Sequence, residues 1–174
     1  MACLDRRDLG LLFLRVGTGA VLAAHGSQKL FGWFGGGGIE GTTAGMQAMG
    51  FHPSRRSAVV AGLGEAGSGA LLALGLATSA AGAAAAGIMS AAVAVHAPAG
   101  FFAQGGGYEY PTFLGFTAAA IGLTGPGRYS LDHATHHLLD RPWIVALAFA
   151  GSAAGVVAVV GKRSRGLREN VAEN

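Results

Sequence analysis

Charge is scarce in this chain. Only 12% of its 174 residues are Asp, Glu, Lys or Arg, against about 25% in an ordinary soluble domain, so there are too few polar groups for a fully water-exposed surface. Cys3 is the single cysteine, which excludes an intrachain disulfide and a cysteine-based metal centre. The glycines follow no Gly-X-Y period, and a collagen-like chain is excluded with it. Haem-attachment, flavin and dinucleotide motifs are missing too. Residues 35–38 are all glycine, but no Lys-Ser/Thr follows them, and a phosphate-binding loop needs that lysine to reach the phosphates.

What remains is apolar and small. Hydrophobic residues make up 51% of the chain and glycine supplies 31 positions. Disordered chains are also poor in charge at times, but they lack long apolar runs, and this one has several. A helix rising about 1.5 Å per residue needs roughly 20 residues to cross a hydrocarbon core of about 30 Å. On that basis the pattern predicts an all-α integral membrane bundle of four spans plus a fifth. The expected spans are residues 9–31, 56–76, 80–102, a shorter one entered at Pro111 and ending near Thr124, and 143–160. The first could in principle be a cleaved signal, but Arg15 interrupts its run and the apolar stretch resumes, so it is expected to be retained. Residues 32–54 read as a loop with a short interfacial helix over 42–49, and 125–142 as a polar loop. The length suits a single membrane domain, with a core over 9–132, the extra span, and a basic tail over 161–174. An amphipathic surface helix is the alternative for 143–160.

Successive spans cross in opposite directions, because backbone groups in hydrocarbon must be bonded internally and each apolar run crosses whole. Naming the side where the first span begins side A, the second side B, places five titratable groups in one half of the membrane. His25 and Lys29 lie one turn apart at the side-B end of span one. Glu65 lies about 13 Å in from side B on span two, His96 lies near the end of span three, and Glu109 near the start of span four. A charged residue at the centre of a membrane helix costs ~2.5–3.5 kcal/mol to insert. Glu65 is therefore expected to face the bundle, paired or protonated, with Lys29 and the histidines as available partners. Gln28, Tyr108 and Tyr110 are candidate rim groups. For each residue alone the blander reading stands beside this one: Glu65 as a helix-locking hydrogen-bonding group, Lys29 snorkelling to the headgroups, the histidines as packing.

On side A an Arg15–Asp132 ion pair is expected to pin the last loop to the bundle. Small residues recur four apart, as in Gly62 with Ala66, Gly82 with Ala86 and Gly151 with Gly155, and in lipid such positions let helix backbones approach. Lys162, Arg163, Arg165 and Arg168 form a membrane-flanking cluster. No basic and aromatic face accompanies it, so nucleic acid is not an expected partner. With five spans the basic residues favour side B as cytoplasmic, whereas a four-helix core would put the N-terminus inside.

Four segments in order carry a resemblance to a known family: residues 25–32 (HGSQKLFG), Gly64-Glu65 with Gly67 and Gly69 ahead of 74–76 (LGL), residues 96–102 leading into 107–111 (GYEYP), and 125–132 (GPGRYSLD). Together they resemble the DoxX family of bacterial membrane proteins over about residues 9–132. The resemblance implies a four-helix membrane core, a place in the bacterial cell membrane, and a link to membrane redox chemistry that includes quinone-linked oxidation and oxidant defence. On the first functional reading, a quinone or other lipophilic substrate sits among these groups. His25 or His96 donates to a quinone oxygen, Glu65 or Glu109 exchanges protons, and a redox partner protein supplies electrons. The second reading is a non-enzymatic subunit, packed against a membrane partner or a second copy through its small-residue faces. The third is a metal-dependent enzyme with His25, His96, Glu65 and Glu109 as ligands. A proton-coupled transporter also fits a buried glutamate, but no inverted repeat or paired broken helices are apparent.

Overall fold

The computed structural model describes residues 5–172. Cys3 and the end of the basic tail lie outside them. Helix accounts for 81% of the chain and no strand occurs among the described residues. The helices are α1 (Arg6–Phe31), α2 (Gly38–Ala48), α3 (Ser54–Leu74), α4 (Thr78–His96), α5 (Glu109–Thr124), α6 (Leu131–Ala134) and α7 (Pro142–Ala172). Four of them, α1, α3, α4 and α7, are long and apolar enough to cross a membrane. At 16 residues α5 is shorter, about 24 Å at 1.5 Å per residue, and it packs along α4 as the fourth member of the core.

Local signals explain the ends. Asp5 accepts a hydrogen bond from the Arg7 backbone N–H at 2.8 Å and so caps α1, while Gly32, with φ of 74°, closes it in a left-handed turn. Pro111 falls within the first turn of α5, where its missing N–H costs no helical bond. The interfacial helix begins earlier than the sequence suggests, at Gly38, and is tied to α1 by the Thr42 hydroxyl donating to the Lys29 carbonyl at 3.0 Å.

The core is built on small residues. Gly19 and Gly26 lie so close to Gly69, Ala73 and Ala66 of α3 that an added Cβ would collide with backbone. On the other side of the bundle, a Cβ at Gly82 would stand 2.6 Å from the Ala118 carbonyl oxygen of α5 and 2.7 Å from Gly122 Cα. Where no side chain intervenes, helix backbones approach and exchange dispersion contacts, the main attraction left when lipid removes the hydrophobic drive between helices. Leu22, Leu72, Ala85, Met89, Leu114, Ala118 and Ile121 fill the interior.

The outside carries the opposite pattern. Phe13, Val60, Leu63, Phe113, Phe116, Leu123 and Val157 are all well exposed, an apolar belt far larger than a water-soluble monomer shows. Trp33 and Trp143, also exposed, lie at opposite ends of the bundle, as expected for the two membrane interfaces. The fifth span is present as α7, the most apolar of the four long helices and the one with none of its apolar window buried. It runs parallel to α4, held by the Ser152 hydroxyl donating to the Ala83 carbonyl at 2.6 Å. At side B the helix continues without a break through the basic tail. There the Arg163 Nε donates to the Met49 carbonyl at 2.7 Å and its guanidinium lies 5.6 Å from the Phe51 ring centroid. The Gly151–Gly155 pair has no neighbour within 4 Å; of the small-residue pairs, it is the one not used within the chain.

At side A the expected Arg15–Asp132 ion pair is replaced by something more specific. Both side chains are fully buried, yet each is bonded to backbone at the α3–α4 turn. Arg15 donates to the Leu72 carbonyl at 3.2 Å and to the Tyr129 carbonyl at 2.6 Å. Asp132 accepts from the Ala77 and Thr78 backbone N–H groups, both at 2.8 Å. The cation thus meets the carbonyl end of α3 and the anion the N–H end of α4, the arrangement each helix dipole favours. Gly75 links them. Its φ of 67° is left-handed, and a Cβ there would collide with the Arg15 guanidinium.

Two outcomes follow for stability in detergent. Gly82→Val should lower stability by about 1–3 kcal/mol through overpacking, read as a fall in Tm, whereas Gly17→Val, with open space around it, should leave Tm unchanged. Asp132→Ala removes the cap of α4 and should cost at least ~1–2 kcal/mol, whereas His133→Ala on the same short helix should have little effect.

Candidate functional site

The close α1–α3 seam sets the site. Because Gly26 lies against Ala66, Lys29, one turn further on, meets Glu65. The Lys29 Nζ donates to Glu65 Oε2 at 2.6 Å. The Glu65 side chain is only 5% exposed and that of Lys29 28%, so Glu65 points into the bundle rather than at acyl chains. An unpaired charge at this depth is costly, and removing one partner of such a pair strands the other.

This pair forms part of the wall of an elongated apolar cavity of about 800 Å³. Its floor is α4, from Ala80 through Ala84, Gly87 and Ile88 to Val95 and His96. One wall is α3, with Arg56, Val60 and Ala61, and the other is α7, with Ser152, Val156 and Val159. Met49 and Phe51, at the α2–α3 corner, border it near side B. The groove exists because α7 packs on α4 but stands away from α3 until Arg163 crosses to Met49.

Of the residues singled out by sequence, Lys29, Glu65 and His96 border this cavity. The His96 Nδ1 lies 2.9 Å from the Gly106 carbonyl, which ties α4 to the loop before α5. The others are held elsewhere. His25 turns toward α5, its Nε2 3.1 Å from the Tyr110 hydroxyl and the rings tilted with centroids 5.6 Å apart. Glu109 accepts from the Ala103 backbone N–H at 3.0 Å and lines a separate hollow with Phe101, Thr112, Phe113 and Phe116. Tyr108 packs edge-on against Phe101, centroids 5.5 Å apart. Gln28 donates to the Phe34 carbonyl at 3.3 Å and shapes the glycine-rich loop.

The five titratable groups therefore share one half of the membrane: Lys29, Glu65 and His96 border the groove, His25 is bonded to Tyr110, which is near enough to Glu65 to interact with its charge, and Glu109 lines a separate hollow. Threading fixes depth, whereas rotation of each helix about its axis fixes which neighbour a side chain meets. His25 and Lys29 are one turn apart, yet one faces α5 and the other α3. The four groups of the metal reading are not gathered: among the described residues no three or more His, Cys, Asp or Glu lie close enough together to hold an ion. Sequence reasoning also missed Arg56, Lys162 and the α7 wall as parts of the groove. The one signal for that wall was Ser152, a hydroxyl within an apolar run.

Spans of this length, an apolar outer belt and a charge pair kept inside define a multi-pass helical membrane protein. The DoxX family profile matches residues 10–98, which takes in α1 to α4 and just over half of the chain, and the protein belongs to the DoxX family. No curated protein and no solved structure shows significant similarity to it.

The pairing makes a thermodynamic prediction. Lys29→Met and Glu65→Gln should each lower Tm, and the double variant should lose less than the sum, with a coupling of roughly 1–3 kcal/mol in a double-mutant cycle. Additive losses would mean that the two charges do not sense each other.

Proposed function

We propose that this protein binds a lipophilic redox molecule of the quinone class in the groove between α3, α4 and α7, with the polar ring at Lys29 and Glu65. The observation that carries the reading is the placement of a buried, hydrogen-bonded acid–base pair on the wall of an otherwise apolar cavity. The Lys29 ammonium has donors to spare beyond the one given to Glu65, and a quinone carbonyl accepts one. Reduction of a quinone to a quinol takes up two electrons and two protons, and Glu65 with Lys29 forms a site that can pass protons to the ring oxygens. Electrons come from a membrane or redox partner protein. His96, exposed at the groove's side-B end, resupplies protons from water. In a bacterial cell membrane the groove opens sideways to the lipid, the route by which such a molecule arrives.

A second reading, a non-enzymatic subunit of a larger membrane complex, is favoured by Gly151, exposed on α7 where an added Cβ would meet nothing within 4 Å, a surface suited to another helix.

The quinone reading is tested by extracting the purified protein and measuring bound quinone, then titrating a short-chain quinone into delipidated protein. Glu65→Gln with Lys29→Gln should weaken binding by about tenfold or more, the loss of one good charge-assisted hydrogen bond. His25→Ala, which faces α5, should leave affinity unchanged. If the double variant binds as well as the native chain, the ring does not sit at this pair. If Gly151→Leu alone disrupts a co-purifying complex, the subunit reading gains.

A further inference from the structure

The groove has a second polar station, at its side-B end. Arg56 on α3 and Lys162 on α7 line the same cavity from its two walls, with Arg163 beside them. Among the described residues the one carboxylate lining it is that of Glu65, already bonded to Lys29. Neighbouring Arg55 is bound to Glu40 at 2.7 Å, but among the described residues neither Arg56 nor Lys162 has an ion-pair partner. Two like charges thus border the same end of an apolar cleft, an arrangement that an anion between them would relieve.

We propose that this end of the groove binds the phosphate of an anionic phospholipid between Arg56 and Lys162, with one acyl chain lying along α4. The chemistry of the two parts matches. A guanidinium fork and an ammonium suit a phosphate oxygen cluster, and Val60, Ile88, Val156 and Val159 offer an apolar bed below it. From Ala80 to His96 the floor runs for about 24 Å along α4, longer than half of a hydrocarbon core of about 30 Å, so a chain from the side-B leaflet fits lengthwise. Arg163, fixed by Met49 and Phe51, keeps the basic end of α7 against the α2–α3 corner rather than free in the headgroup layer. The bound lipid bridges α3 to α7, two helices that otherwise form opposite walls. Glu65 lies nine residues further along α3, about 13 Å deeper, so the two polar stations are distinct, although a chain lying along α4 and a ring at Lys29 draw on the same groove.

The test uses the full chain in nanodiscs of phosphatidylcholine containing a minor fraction of phosphatidylglycerol, with co-purifying lipid counted by native mass spectrometry after transfer to neutral detergent. Native protein should retain phosphatidylglycerol over phosphatidylcholine by on the order of tenfold, in keeping with about 1 kcal/mol for each basic residue near an anionic headgroup. Arg56→Gln with Lys162→Gln should abolish that preference. Arg6→Gln with Arg141→Gln, which removes the same charge from side A, should preserve it, as should Glu65→Gln. Val156→Trp fills the bed with both cations intact and should also lower retention, which covers the case where the double variant does not fold. Equal enrichment in the Arg56/Lys162 variant, or equal loss in the side-A variant, would overturn the site. Displacement of the lipid by excess inorganic phosphate would overturn the amphiphile as its occupant.

Discussion

The approach of α1 to α3 across Gly19, Gly26 and Gly69 is the constraint from which the interior follows. Side chains at those positions would push the two helices apart by the width of a methyl group or more, and Lys29 would no longer reach Glu65 at 2.6 Å. In water a glycine-rich helix is a weak helix. In lipid, where an unfolded backbone has nothing else to bond to, that penalty is offset and the absent side chain becomes an asset. The same logic operates between α4 and α5 at Gly82 and Gly122, so the core is two tight pairs of helices joined through α3 and α4.

The charged residues divide by the purpose that their surroundings permit. Arg15 and Asp132, fully buried at side A, spend their hydrogen bonds on the ends of α3 and α4 and hold the turn between them. They are fastening. Lys29 and Glu65 satisfy each other, yet line open space, and that is why the functional reading rests on them. Among the described residues Arg56 and Lys162 have no carboxylate partner, and they line the side-B end of the groove. Depth, pairing and access to empty space together separate structure from chemistry in a chain with so few charges.

Helix α7 gives the bundle of α1, α3, α4 and α5 a wall it would otherwise lack. Had it packed as closely as α1 on α3, the cleft over α4 would be closed. Its Ser152 touches the Ala83 carbonyl, while its valines stand clear of α3, and the result is a groove between α3, α4 and α7.

Much of this was readable in the residues. Run length and charge scarcity determined the spans, because crossing hydrocarbon demands length and internal hydrogen bonding regardless of partners. Antiparallel threading determined that His25, Lys29, Glu65, His96 and Glu109 lie in the same half of the bilayer. Tertiary packing alone decided that Lys29 meets Glu65 while His25 meets Tyr110, that Asp132 caps α4 instead of pairing with Arg15, and that α7 forms a groove rather than sealing one. The reason is that sequence spacing sets a residue's height along its helix, whereas its azimuth toward a neighbour depends on how closely two helices approach, and that distance is set by side chains on both of them.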